Sequence, residues 1–181
     1  MPFVREASPV STTPHPAGLA AERLLADCEV ERLRRSGPGG QHRNKVETAV
    51  RIRHCPTDIT AEASERRSQP ENLAVALRRL RVTLAVSVRS TGRFEPSEEW
   101  RRRVQNGRIV VSPRHAEFPV LLAEALDALA AHGWDVGETA SRWACTASQL
   151  VKFLSLEPRA LKLLNDHRGQ QGRRRLRART S

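Results

Sequence analysis

Arg34-Arg35-Ser36-Gly37-Pro38-Gly39-Gly40-Gln41-His42-Arg43-Asn44-Lys45 is the stretch on which the reading of this chain turns. Gly37, Gly39 and Gly40 fall within four positions and describe a loop whose backbone approaches a ligand closely, since no Cβ stands in the way. Arg34, Arg35, Arg43 and Lys45 flank it, so the ligand is expected to be anionic. The Walker phosphate loop needs G-x-x-x-x-G-K-[ST] and the dinucleotide loop needs G-x-G-x-x-G; neither spacing is present. On the C-terminal side, residues 48–54 place Val50 and Ile52 on one face and Arg51 and Arg53 on the other, predicting a half-buried strand with a basic wet face. Pro56 and Asp58 supply turn chemistry, Pro fixing φ and Asp bonding its own backbone, before a second strand over Ile59–Ala63. Leu73, Leu77, Leu80 and Leu84 then recur at i, i+4, i+7 and i+11, predicting a helix with Arg78, Arg79 and Arg81 largely off its apolar face. On the N-terminal side a short helix is predicted over residues 19–27, anchored by Leu24 and Leu25.

In this arrangement the sequence resembles the GGQ domain of class I peptide chain release factors. Ser36 to Gln41 with Asn44 is similar to the family's loop, and Ala49-Val50-Arg51-Ile52 to the strand that follows it. Pro56-Thr57 falls at the family's turn, and Arg67-Ser68-Gln69-x-x-Asn72 resembles the R-S-Q-x-x-N element before the domain's long helix. Roughly 70 residues, Cys28 to about Val88, stand in register, so several separate elements match in order. The resemblance implies ribosome-dependent hydrolysis of the ester joining a nascent peptide to tRNA, with Gly39, Gly40 and Gln41 as the catalytic element. The backbone N–H at Gln41 would donate to the developing oxyanion, and the Gln41 side chain would shape a space that admits water. The resemblance also implies a glutamine methyltransferase as a partner acting on Gln41, and it implies no cofactor or metal. Arg34, Arg35, Arg43 and Lys45 are expected to dock the loop on ribosomal RNA and tRNA. Arg66 and Arg67 either contact RNA, or Arg67 holds Glu65 or the start of the helix, two readings of equal weight. His42 titrates near neutrality, and Ser36 with His42 suggests a nucleophile and base, but no acid partner is recognisable and neither role is assigned.

Ser90-Thr91-Gly92 marks a change of composition and a predicted hinge. The remainder reads as helical. Phe118, Leu121, Leu122, Ala125, Leu126 and Leu129 mark an amphipathic helix that Gly133 ends in the left-handed conformation. Asp135 and Glu138 suit the cap of a short helix, Thr146-x-x-Gln149 is a capping-box pattern, and Pro158 suits a first helical turn. Trp100, Trp134 and Trp143 are expected in the core. The spacing over residues 137–154 is compatible with a helix-turn-helix, a helical hairpin with its own small core being the commoner explanation. Beyond Asp166 six arginines, Arg168, Arg173, Arg174, Arg175, Arg177 and Arg179, stand with no acidic residue, predicting an RNA-binding tail.

The expected organisation is α+β: a flexible leader over 1–17, a small GGQ-type α/β sandwich-like domain over 18–90, an all-α region over 94–166 and a basic tail over 167–181. The 181 residues hold 31 Lys and Arg against 20 Asp and Glu, a formal charge of +11, which calls for a polyanionic partner. Aromatic residues make up 4% with no Tyr, so binding to nucleic acid is expected to be electrostatic rather than by base stacking. Cys28, Cys55 and Cys145 form no C-x-x-C pair, which argues against a zinc site or a disulfide framework. No apolar run approaches a membrane span and no secretory leader is recognisable, so a cytoplasmic, soluble chain with no membrane partner is expected, a monomer off the ribosome. The length leaves no room for codon-reading domains, and the chain looks like the short codon-independent members that rescue stalled ribosomes. The alternative is a non-hydrolytic ribosomal-RNA-binding or assembly protein reusing the domain. A third reading is a DNA-binding regulator working through the C-terminal helices.

Overall fold

The alternation around Val50 and Ile52 becomes a buried strand face: both side chains are shielded, while Arg51 and Arg53 on the other face reach water. The computed structural model describes residues 10–11, 14–33, 48–91 and 95–178. In chain order its elements are β1 (Val10–Ser11), a 3-10 turn (Pro16–Gly18), α1 (Ala21–Ala26), β2 (Cys28–Leu33), β3 (Ala49–His54), β4 (Ile59–Ala63) and α2 (Gln69–Ser87). These are followed by β5 (Arg89–Ser90), α3 (Glu98–Arg103), β6 (Val104–Gln105), β7 (Arg108–Ile109), α4 (Phe118–Ala131), α5 (Val136–Arg142), α6 (Ala147–Ser155) and α7 (Pro158–Gln170). Two compact units result, Pro16–Leu84 and the described residues of Met1–His15 with Ala85–Ser181. The boundary between them falls after Leu84, within α2, whose helical pattern runs to Ser87.

In the unit Pro16–Leu84, β2, β3 and β4 form an antiparallel sheet in that order, with Val30 opposite Ile52 and Ile52 opposite Ala61. Strand β2 was not anticipated: its middle residues Glu29 to Arg32 are all exposed, so it carries no apolar period to read. The wet face of the sheet is not basic, contrary to expectation. Arg51 pairs with Glu62 at 2.6 Å and Glu31 at 3.2 Å, and Arg53 with Glu29 at 2.7 Å and Asp58 at 3.1 Å. Four carboxylates around two guanidinium groups make this face a poor ligand for a polyanion. Asp58 takes φ +56° in the turn, and its carboxylate is among these partners. Helix α2 opens on a serine cap: Ser68 Oγ accepts from the Glu71 N–H at 3.4 Å, and its hydroxyl donates to the Glu71 carboxylate at 2.7 Å. Its buried face runs through Asn72, Ala76, Leu80 and Leu84, leaving Leu73 and Leu77 half-buried. The Arg79 guanidinium donates to Glu62 O at 2.6 Å, tying the helix to β4. The expected leader is partly built into the fold: Pro16 and Ala17 are buried, and Arg81 donates to Leu19 O at 2.6 Å and Ala17 O at 3.5 Å.

In the other unit, β1 and β5 pair in parallel, Val10 opposite Arg89. Arg89 satisfies the end of α2 by donating to Ala85 O and Val86 O, each at 2.6 Å, and pairs with buried Asp127 of α4 at 3.0 Å. Helix α3 is capped by Ser97, whose Oγ accepts from the Trp100 N–H at 3.0 Å. The region is not wholly helical, because Asn106 (φ +50°) and Gly107 (φ +76°) close a two-residue hairpin between β6 and β7. Gly133 (φ +59°) ends α4 as expected; its N–H bonds Ala130 O and the Trp134 N–H bonds Leu129 O, a Schellman closure. Asp135 caps α5, Thr146 caps α6, and Pro158 occupies the first turn of α7. Thr146 makes only half a capping box, since its own N–H is taken by Gly107 O at 3.0 Å. Trp100 and Trp143 meet edge to face at 4.9 Å, and Phe153 joins Trp100 to Phe118, so this aromatic cluster is core.

Candidate functional site

Gly39, Gly40, Gln41, Arg34, Arg35, Arg43 and Lys45, with Ser36 and His42, lie outside the described residues, as does Arg179. What is described is the frame on either side of that stretch. Strand β2 ends at Leu33 and β3 begins at Ala49, and these two residues are directly paired, so the connection leaves and rejoins the sheet at adjacent points. The return is fixed by one side chain. Asn72, fully buried in the first turns of α2, donates through Nδ2 to Thr48 O at 2.6 Å and to Arg66 O at 3.0 Å, while its Oδ1 accepts from the Arg66 N–H at 2.9 Å. A buried amide with both hydrogens and its oxygen satisfied locks three chain segments together: the residue before β3, the turn before α2, and α2 itself. The R-S-Q-x-x-N pattern named this asparagine; its bond to Thr48, 24 residues away, is a tertiary fact that no local signal carries.

Arg67 is exposed at the mouth of the same turn, and Glu65 is held by Arg79 at 2.6 Å rather than by Arg67. Of the two readings of Arg67, the Glu65 ion pair is therefore not the one formed. Burial holds the His54 imidazole below its ordinary value, and its Nδ1 lies 2.8 Å from Thr57 Oγ1. Burial likewise pushes the Cys28 and Cys145 thiols up to about 11, so neither is a thiolate at neutral pH. Among the described residues no three His, Cys, Asp or Glu side chains gather where they could hold a metal ion, and no helix is long and apolar enough to cross a membrane.

The arginines beyond Asp166 are arranged differently from a free tail. Arg168 lies in α7, and its Nε donates to Arg174 O at 3.0 Å. Gly172 (φ +69°) reverses the chain: its N–H bonds Gly169 O, and the Arg173 N–H bonds Arg168 O at 2.8 Å, a second Schellman closure. The returning segment is pinned by the Asn165 amide, which donates to Leu176 O at 3.0 Å and accepts from the Leu176 N–H at 2.7 Å. Arg173 reaches Asp135 at 3.2 Å, Arg175 reaches Asp166 at 4.0 Å, and Gln171 donates to Gly133 O at 3.0 Å. The ring of Trp134 stacks on His167 at 3.9 Å and 10°. Arg168, Arg173, Arg174, Arg175 and Arg177 are thus displayed from a folded surface. The legible signal was Gly172, placed where a helix of this length ends.

Among the described residues, the glycine-rich connection is bounded by the paired residues Leu33 and Ala49 and by the buried Asn72 amide. The RF-1 domain profile matches residues 24–118, more than half of the chain, and the chain belongs to this family of class I release-factor GGQ domains. It is 42% identical over 82 residues to peptide chain release factor 1 of Xylella fastidiosa (strain 9a5c), covering 45% of this chain and 22% of that protein. With peptide chain release factor 1 of Acidiphilium cryptum (strain JF-5) identity is 36% over 110 residues, 61% of this chain and 31% of the relative. With that of Rickettsia prowazekii (strain Madrid E) it is 35% over 113 residues, 62% and 32%. The chain thus spans between about a fifth and a third of the length of the curated relatives it matches.

Proposed function

We propose that this chain is a ribosome-dependent esterase that hydrolyses the bond between a nascent peptide and its tRNA without reading a stop codon, as in the rescue of stalled ribosomes. The observation that carries this reading is the Asn72 clamp on Thr48, which fixes the return of the glycine-glycine-glutamine connection in a family whose compared members are named peptide chain release factors. An ester is already activated for acyl transfer, so a positioned water and a donor at the developing oxyanion suffice without a side-chain nucleophile. In this reading the Gln41 backbone N–H is that donor, a contribution of about 3–4 kcal/mol. Gly39 and Gly40 permit its close approach, and the Gln41 side chain leaves room for water but not for larger nucleophiles. Arg34, Arg35, Arg43, Lys45 and Arg67 hold the loop on RNA phosphates, which position without reading sequence. Arg168, Arg173, Arg174, Arg175, Arg177 and Arg179 supply a further RNA contact. Gln41 is the side chain on which a glutamine methyltransferase would act, no cofactor takes part, and the chain works in the cytoplasm as a monomer when off the ribosome.

The test is peptide release from purified stalled ribosomes by wild type, Gln41→Ala and Gly40→Ala. Wild type is expected to release and both variants to lose release while still binding ribosomes. Undiminished release by the variants overturns the mechanism. Binding without turnover by wild type on several stalled substrates overturns the hydrolytic reading in favour of a non-hydrolytic ribosomal-RNA-binding role.

A further inference from the structure

A cleft of about 650 Å³ opens on the unit that holds α5, α6 and α7, with Asp135, Gln149, Lys152, Arg168, Leu176 and Arg177 among the residues that line it. Its floor and walls come from the first turns of α5 and α6 on one side and from α7 with the folded-back segment after Gly172 on the other. Asp135 is its one acid, and that carboxylate is already committed: it accepts from the Glu138 N–H at 2.9 Å and pairs with Arg173 at 3.2 Å. These partners hold it below the usual carboxylate range, the Glu138 bond foremost. Lys152 and Arg177 are exposed, and among the described residues no carboxylate pairs with either of them or with Arg168. No aromatic ring lines the cleft.

Three cations without carboxylate partners, held on two helices and a pinned segment, suit closely spaced phosphates, and the absence of rings removes the platform on which unstacked bases would sit. The geometry points to a preformed docking site for the phosphodiester backbone of double-helical RNA, made by Lys152, Arg168 and Arg177. Lys152, on α6, has no place in a reading based on the C-terminal arginines alone. The pinned segment is here a wall of the site, which differs from a tether threading into a channel. The inference rests on the reading of this chain as a ribosome-acting protein, but not on its hydrolytic step.

The experiment is binding of the full chain to a fluorescein-labelled RNA hairpin duplex by fluorescence anisotropy across a salt series. It compares wild type, Lys152→Ala/Arg177→Ala, and Arg23→Ala on α1 as a control on the other unit. Each lost phosphate contact lowers the slope of log K against log salt by about 0.9, so the double variant should bind more weakly with a slope reduced by about 2. Arg23→Ala should match wild type. Both replaced side chains are exposed, and unchanged tryptophan fluorescence, which reports the Trp100–Trp143 core, verifies folding. An unchanged slope in the folded double variant, an equal loss with Arg23→Ala, or binding to duplex DNA but not to RNA overturns the proposal. If wild type releases no peptide yet RNA binding still depends on Lys152 and Arg177, the hydrolytic reading falls and the docking site stands.

Discussion

Asn72 is the residue on which the frame of the site depends. Its amide makes three bonds from a fully buried position, and truncation would leave Thr48 O and both polar groups of Arg66 without this partner. Each unmet group carries its desolvation penalty, so Asn72→Ala should lower stability by about 2–3 kcal/mol, read as a reduced urea midpoint. It should also lower peptide release more than a stability-matched core variant such as Leu84→Ala; equal losses of release would reduce Asn72 to ordinary packing. His15 gives a prediction of a different kind. Its ring bonds Val88 O at 3.1 Å, and burial, reinforced by nearby Arg89, lowers its pKa to about 4. An unfolded histidine takes up its proton near pH 6.5, so between about 6.5 and 4 the unfolded chain binds more protons. Stability is therefore full above the unfolded value and falls as pH drops through this window, by on the order of 2–3 kcal/mol. Urea midpoints at about pH 7 and 4.5 should differ less in His15→Gln than in wild type, and an equal difference would remove His15 from the account. The reading of Asn72 shows where sequence stops: a motif names the amide, but only folding shows that its partner is the residue before β3.

At the scale of elements, what was legible followed from local chemistry. The caps at Asp135 and Thr146, the first-turn Pro158 and the stop at Gly133 lie where their side chains or missing Cβ demand, because each acts within its own turn of helix. Two omissions have equally local causes. Strand β2 is an edge whose middle side chains are all exposed, so hydrophobic period is silent there, although Glu29 and Glu31 oppose Arg53 and Arg51. The β6–β7 hairpin was signalled by Asn106-Gly107, the residues a type I′ turn requires, but the surrounding helical period outweighed a two-residue cue. Gly172 is the element whose disturbance is most readily read. A Cβ there meets nothing within 4 Å, so the cost of Gly172→Ala lies in its φ of +69° alone, about 1 kcal/mol. Limited proteolysis should then cut residues 173–178 sooner than in wild type, with the global urea midpoint shifted little. Unchanged cleavage would mean that the Asn165 clamp alone holds the segment.

For the whole molecule, the family's loop motif and the excess of positive charge lie in different parts of the sequence. The glycine-glycine-glutamine stretch lies in sequence between β2 and β3 of the sheet whose wet face is neutralised, whereas six arginines beyond Asp166 carry over half of the +11 charge. This partition was legible in sequence only as composition, since whether those arginines are tethered or displayed depends on Gly172 and Asn165. It leads to a kinetic expectation for the chain acting on stalled ribosomes. Gln41→Pro deletes the backbone donor outright and should lower kcat by about 10²–10³, the usual loss for one oxyanion-hole donor. Lys152→Ala/Arg177→Ala should instead fall on KM and grow with added salt, because phosphate contacts steer and position without taking part in the acyl step. Gln41 stands more than 100 residues before Lys152 in the sequence and is assigned a different step, so their effects on kcat/KM should multiply, with a coupling energy within about 0.5 kcal/mol of zero. A larger coupling would mean that docking through the α5–α7 surface sets the geometry at Gln41, so that the basic unit delivers the loop in its reactive pose rather than only raising its local concentration.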